Sequence, residues 1–188
     1  MNKRHRIFIA INLPHDIRKS LTSFEKKWQD LPARWTPLEN LHITLVFLGD
    51  ITDEELGETC IAVKEVSKKH RLFDIVLDQI GYGPDKKTPP RMLWASGQKS
   101  EELSLLKKDL EDSLLEKVIF KPEERSFSPH ITLARINTLA WRAIEPEERP
   151  EVAENIDINF TVELLEVMES ELTRQGPRYT IIESHQLT

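Results

Sequence analysis

The chain has 188 residues, a formal net charge of −6 and one cysteine. That length suffices for one large domain or two small lobes around a real hydrophobic core, and the single thiol, Cys60, excludes an internal disulfide framework. The negative balance argues against a protein that coats nucleic acid through many Lys and Arg side chains, but it leaves room for a local basic site that grips one phosphate. No stretch approaches the ~20 apolar residues of a membrane span, and the charged start in place of a signal peptide points to the cytoplasm.

In chain order, RIFIAINL at 6–13 is β-branched and apolar without a helical period and is predicted to be a buried strand. Ile17, Leu21, Phe24, Trp28 and Leu31 recur at helical spacing and predict one amphipathic helix lying on a sheet. A turn at Pro37-Leu38-Glu39-Asn40 precedes a strand, LHITLVFLG. Thr52 with Glu55 three residues on is a capping box, opening a second helix with Leu56, Cys60, Val63 and Val66 on its apolar face. LFDIVLDQI at 72–80 and RMLWAS at 91–96 read as a hairpin. Leu103, Leu106, Leu110 and Leu114 mark a third helix with Ser100 as its N-cap.

KVIFKPEERSFSP then leads into a second strand of the form HITL, so the order of strand, helix and motif recurs and suggests two similar lobes. The charged stretch 137–155 reads as a surface excursion with room for one short helix. Ile156, Ile158, Phe160 and Val162 alternate as a half-buried strand, LLEVMESEL continues it, and RYTIIESHQL closes the chain after a turn at Gly176-Pro177. Three helices and about seven strands predict an α+β protein with antiparallel sheets.

The tetrapeptide His-Ile-Thr-Leu occurs twice, at 42–45 and at 130–133. In a strand, alternate side chains share a face roughly 6.5–7 Å apart, so each copy offers an imidazole and a hydroxyl side by side over an apolar back. One such pair is ordinary; two, each following a loop, read as halves of one site. Neither copy is His-x-His and no acidic residue adjoins either at a ligand-like offset, so a metal site is not expected. No Gly-x-Ser-x-Gly and no Gly-rich phosphate loop occurs.

Two His-Thr pairs without a metal can carry out acid–base chemistry on a phosphodiester: one imidazole takes a proton, the other gives one, and the hydroxyls hold the non-bridging oxygens. Arg125 and Arg135, near the second copy, are candidate phosphate ligands. Phe127 and Trp94 are candidates for stacking on a base, with core packing the alternative for Trp94 within RMLWAS, and Tyr179 has the same two readings as Trp94. His5, His15, His70 and His185 are expected to be solvated.

RIFIAINLP, LHITLVFLGD, PPRMLWAS, FSPHITLAR and MESELTRQGPRYTII resemble blocks of the two-histidine phosphoesterases, specifically the bacterial and archaeal RNA 2′,3′-cyclic phosphodiesterases, also called 2′-5′ RNA ligases. The resemblance implies an α+β fold of two pseudo-symmetric lobes, each an antiparallel sheet with helices on its outer face, and a cleft between them. It implies one domain over residues 1–188, hydrolysis of a terminal 2′,3′-cyclic phosphate to a 2′-phosphate, and no metal or other cofactor. By motif position His42 is the proton donor, His130 the proton acceptor, and Thr44, Thr132 and Arg135 phosphate contacts; the first copy has Phe47 where the second has Arg135. RNA 3′ ends or nucleotides with a 2′,3′-cyclic phosphate are the expected partners of a monomeric cytoplasmic protein. The alternatives are a 2′-5′ RNA ligase, a phosphodiesterase for small cyclic nucleotides, and a nucleotide- or RNA-end-binding module without turnover.

Overall fold

The computed structural model describes residues 3–84, 88–123, 127–174 and 176–188. Along these run β1 (Arg4–Asn12), α1 (His15–Ser23), β2 (Ala33–Trp35), β3 (His42–Thr52), α2 (Asp53–Ser67), β4 (Phe73–Gly83), β5 (Met92–Gly97), α3 (Glu101–Leu115), β6 (His130–Ile136), α4 (Thr138–Arg142), β7 (Ala153–Val162), β8 (Leu164–Thr173) and β9 (Gly176–Gln186). The strands follow the order β7-β4-β5-β6-β3-β1-β8-β9, with β2 against β6, and every pairing is antiparallel. This is the predicted α+β class.

The strand path has two halves, β3-β1-β8-β9 and β6-β5-β4-β7, joined between the motif strands at one register position, Ile43 opposite Ile131. Each half contains the order strand, helix, motif strand: β1-α1-β3 in one, β5-α3-β6 in the other. Glu163 alone links β7, at one end of the path, to β8 in the opposite half. Since consecutive Cα atoms are ~3.8 Å apart, the sheet must curl until its halves approach again there. Backbone bonds from Leu187 to Glu163 (2.8 Å) and from Thr188 to His70 (2.9 Å) close that end.

One large apolar cluster fills the helix-covered face: Ile7, Ile9 and Ile11 of β1, Ile43 and Leu45 of β3, and Ile131 and Leu133 of β6 lie under Leu21 of α1, Val63 and Val66 of α2, and Leu103, Leu106, Leu110 and Leu114 of α3. The opposite face has a small cluster of Phe8, Ala10 and Met168 with Tyr179 packed on it. Burying these side chains contributes roughly 1.5–3 kcal/mol each for the larger ones, so the motif strands are anchored from behind while the His-Thr face stays open.

Both motif strands carry a β-bulge at the same place. Thr44 pairs with Ala10 and Val46 with Ile9, so Leu45 has no partner of its own; Thr132 pairs with Trp94 and Ala134 with Leu93, so Leu133 is the matching extra residue. An extra residue shifts the alternation by one. Hence residues 45 and 46, like 133 and 134, are all buried, and Phe47 and Arg135 become exposed positions of their strands.

Some expectations change. The predicted first helix ends at Ser23 and tightens into a 3-10 turn over Phe24–Trp28. The Thr22 hydroxyl donates to the Arg18 and Lys19 carbonyls and the Ser23 hydroxyl to that of Ser20, and such hydroxyls compete with the helical ladder. The segment after Val162 is not a continuation of β7 but the separate strand β8, and the excursion after Asn137 is pinned by the buried Trp141, which packs edge-on against Tyr82. His15 is exposed, but His5, His70 and His185 are buried instead of solvated. His5 lies between Glu169 (2.7 Å) and Asp53 (2.8 Å), and His70 bonds Asp109 at 2.9 Å. No described helix is long and apolar enough to cross a membrane.

Candidate active site

His42 and His130 are the first residues of β3 and β6, and antiparallel pairing of these strands at Ile43 and Ile131 brings the two copies together head to head. His42, Thr44, His130, Thr132 and Arg135 all line one cleft, which Tyr179 and Pro177 of β9 wall on one side.

The two imidazoles are oriented in the same way. Nδ1 of His42 bonds the Asn40 carbonyl at 2.8 Å, and Nδ1 of His130 bonds the Ser128 carbonyl at 2.9 Å. A carbonyl only accepts, so each Nδ1 carries a proton and, in the neutral ring, Nε2 holds the lone pair. On His42 that atom is 2.9 Å from Thr44 Oγ1, which donates to it. Burial pulls the His42 imidazole below the ordinary histidine range, the Asn40 bond opposes the shift, and the charge on His130 adds to it. The free protein therefore favours neutral His42, ready to accept a proton at Nε2.

Aromatic rings fix both imidazoles. Trp94 stacks on His130 with centroids 4.0 Å apart, while Phe8 lies 5.0 Å and Tyr179 5.2 Å from His42, the latter edge-on at 88°. Trp94 is thus neither a core residue nor an open base platform, and its partner is the second histidine. Arg135 and Arg6 both act on the Tyr179 phenol, lowering a pKa that burial raises more strongly.

Of the remaining candidates, Phe127 is half-buried against the core with Lys107 Nζ 5.5 Å from its ring and does not line the cleft. Arg125 lies outside the described residues. Sequence reasoning missed Arg34, which reaches the cleft from β2. Its strand has three residues, too few to show a period. Among the described residues no group of three or more His, Cys, Asp or Glu side chains is placed to hold a metal ion. Burial, followed by the Glu183 carboxylate, pushes the Cys60 thiol up to about 12, which leaves it protonated and inert at neutral pH.

The chain is 32% identical over 169 residues to an Aquifex aeolicus protein named RNA 2′,3′-cyclic phosphodiesterase, covering 86% of this chain and 87% of that one. It is 31% identical over 163 residues to a Geobacillus stearothermophilus protein of the same name; that match covers 85% of this chain, which spans about half (49%) of the relative's length. The crystal structure of E. coli LigT complexed with 3′-AMP is similar with a TM-score of 0.79 and 26% identity over 99% of both chains. The family model for LigT-like phosphoesterases matches residues 11–94 and again residues 96–179, one motif strand's His-Ile-Thr-Leu in each match. With both halves matched over most of the sequence, the chain belongs to the LigT-like phosphoesterase family.

Proposed function

We propose that the protein is a metal-independent RNA 2′,3′-cyclic phosphodiesterase that opens a terminal 2′,3′-cyclic phosphate to a 2′-phosphomonoester. The observation that carries this reading is the pair of histidines with protonated Nδ1 atoms in one cleft, each with a threonine two residues on. Relatives named for this activity and the likeness to LigT complexed with 3′-AMP support it.

In the reaction a water attacks phosphorus as the P–O3′ bond breaks. His130 Nε2 takes the water's proton, and His42 Nε2, once protonated, gives its proton to the departing O3′. Each transfer contributes about 10²–10⁴-fold, and in-line displacement requires the two rings on opposite sides of phosphorus. Thr44, Thr132 and Arg135 hold the non-bridging oxygens. The donor role is the one that His42 holds by motif position; because the free ring is neutral, it requires His42 to take up a proton as the anionic phosphate enters and favours the imidazolium. The protein acts as a cytoplasmic monomer on RNA 3′ ends or nucleotides, without a cofactor.

The test is turnover of a short RNA ending in a 2′,3′-cyclic phosphate, with the product resolved as 2′- or 3′-phosphate and the reaction repeated after exhaustive chelation. A 2′-phosphate formed at the same rate with and without chelator is expected. Binding without product would favour a recognition module, and loss of turnover restored by one added metal would remove the metal-free mechanism.

A further inference from the structure

β2 sets Arg34 directly opposite Arg135 on β6. Opposed residues of an antiparallel pair project from the same face with Cβ atoms ~4.5–5.5 Å apart, and like charges so placed are destabilising. Neither guanidinium makes an ion pair or hydrogen bond with any described residue. Both line the cleft that holds the histidines. In a chain of net charge −6, two adjacent unpaired arginines at this cleft form a local site for anionic oxygens.

The backbone of β9 is shaped around the first of them. Gly176, at φ +119°, lies so close that a Cβ there would sit 2.5 Å from Arg34 Nη2. Any side chain at this position would both strain the backbone and displace the guanidinium from the cleft wall. Arg34 is therefore packed against the start of β9, beside Pro177, whose carbonyl accepts from Asn40 Nδ2 at 3.0 Å and ties the strand to the loop ahead of His42.

We infer that Arg34 is the contact for a second phosphate, the one on the 5′ side of the terminal nucleoside, while the histidines, threonines and Arg135 take the cyclic phosphate. This rests on the cyclic-phosphate reading above and extends it: the cleft recognises two phosphates of one strand end. The second can be a 5′-phosphomonoester or an internucleotide phosphodiester, which present the same anionic oxygens.

Three substrates separate the possibilities: a nucleoside 2′,3′-cyclic phosphate, the same nucleotide with a 5′-phosphate, and a dinucleotide ending in that cyclic phosphate. In the native protein kcat/KM for at least one of the two longer substrates exceeds that of the first by about tenfold, the scale of one charge-assisted contact, and whichever gains more identifies the source. Arg34→Gln, a change at an exposed position, brings the ratio near one; Arg34→Lys retains part of it because the charge remains. A native ratio near one, or an Arg34→Gln protein that loses the same factor on all three, overturns the assignment. Calorimetry with adenosine 3′,5′-bisphosphate against 3′-AMP reads the same subsite without turnover. If the native protein prefers the bisphosphate and Arg34→Gln does not, the subsite stands even where the catalytic reading fails; equal affinity for both ligands removes it.

Discussion

Trp94 lies nearly flat on the His130 imidazole, with ring centroids 4.0 Å apart and planes 28° from parallel. It reaches this position from β5, the strand beside the second motif, as Phe8 on β1 approaches His42 beside the first. The contact depends on Gly83: a Cβ at that residue would sit 2.3 Å from the indole ring.

Gly83→Ala should displace the indole and free the imidazole from its stack. Since misplacing a catalytic group by about 1 Å can cost ~10²-fold, Gly83→Ala and Trp94→Leu should each lower kcat by about 10- to 100-fold, with a smaller change in KM. Steady-state kinetics beside a thermal melt checks this. A folded Trp94→Leu protein with native kcat would show that the Nδ1 bond to Ser128 is sufficient to orient the ring.

What could be read from the chain was what is local. The Thr52–Glu55 capping box was legible because both partners are three residues apart, and both of its bonds form, at 3.2 and 2.8 Å. The recurrence of strand, helix and motif was legible because each element has its own period. β2 was not: Ala33–Trp35 becomes a strand only by pairing with β6, so Arg34 left no trace beyond an arginine in a loop. The bulges at Leu45 and Leu133 also lack a local signal, since simple alternation would bring residues 46 and 134 to the cleft face in place of Phe47 and Arg135. Burial of His5 and His70 depends on Asp53, Glu169 and Asp109, all distant in sequence.

If the two histidines act as one acid–base unit, His42→Ala and His130→Ala should each reduce kcat by about 10²–10⁴-fold, and the double variant should cost far less than the product of the two. Thr44→Val and Thr132→Val should cost less, because an oxygen donor is lost while acid and base remain. The pH–rate profile of the native protein should be bell-shaped, with limbs that belong to the coupled pair. Multiplicative losses in the double variant would mean that the histidines act independently.

His42 should titrate below the ordinary histidine range in the free protein and move upward when phosphate enters the cleft, because burial disfavours the imidazolium and an adjacent anion favours it. Imidazole chemical shifts followed against pH, with and without inorganic phosphate, read this directly. Between its folded and unfolded pKa values the unfolded chain binds more protons, so this residue makes stability rise with pH up to about 6.5. A His42 titration unmoved by saturating phosphate would place the anion away from this ring.

His5 has the opposite sign. Its Nε2 meets Asp53 in the first turn of α2 and its Nδ1 meets Glu169 on β8, at 2.8 and 2.7 Å, so the buried ring is held as an imidazolium. The bonds to Asp53 and then Glu169 raise its pKa against the opposing effects of burial and Lys3. A raised folded pKa contributes stability that is fully present below the unfolded value of about 6.5 and is lost as pH climbs through the folded value. The native protein should therefore exceed His5→Gln in Tm by most near pH 6, with the gap narrowing as pH rises through the His5 titration. Because His5 joins β1, α2 and β8 at the end of the sheet away from the cleft, the substitution should act on Tm, not on the shape of the pH–rate profile. A Tm difference that is constant from pH 6 to 9 would mean that His5 acts through packing alone, with no net contribution from its charge.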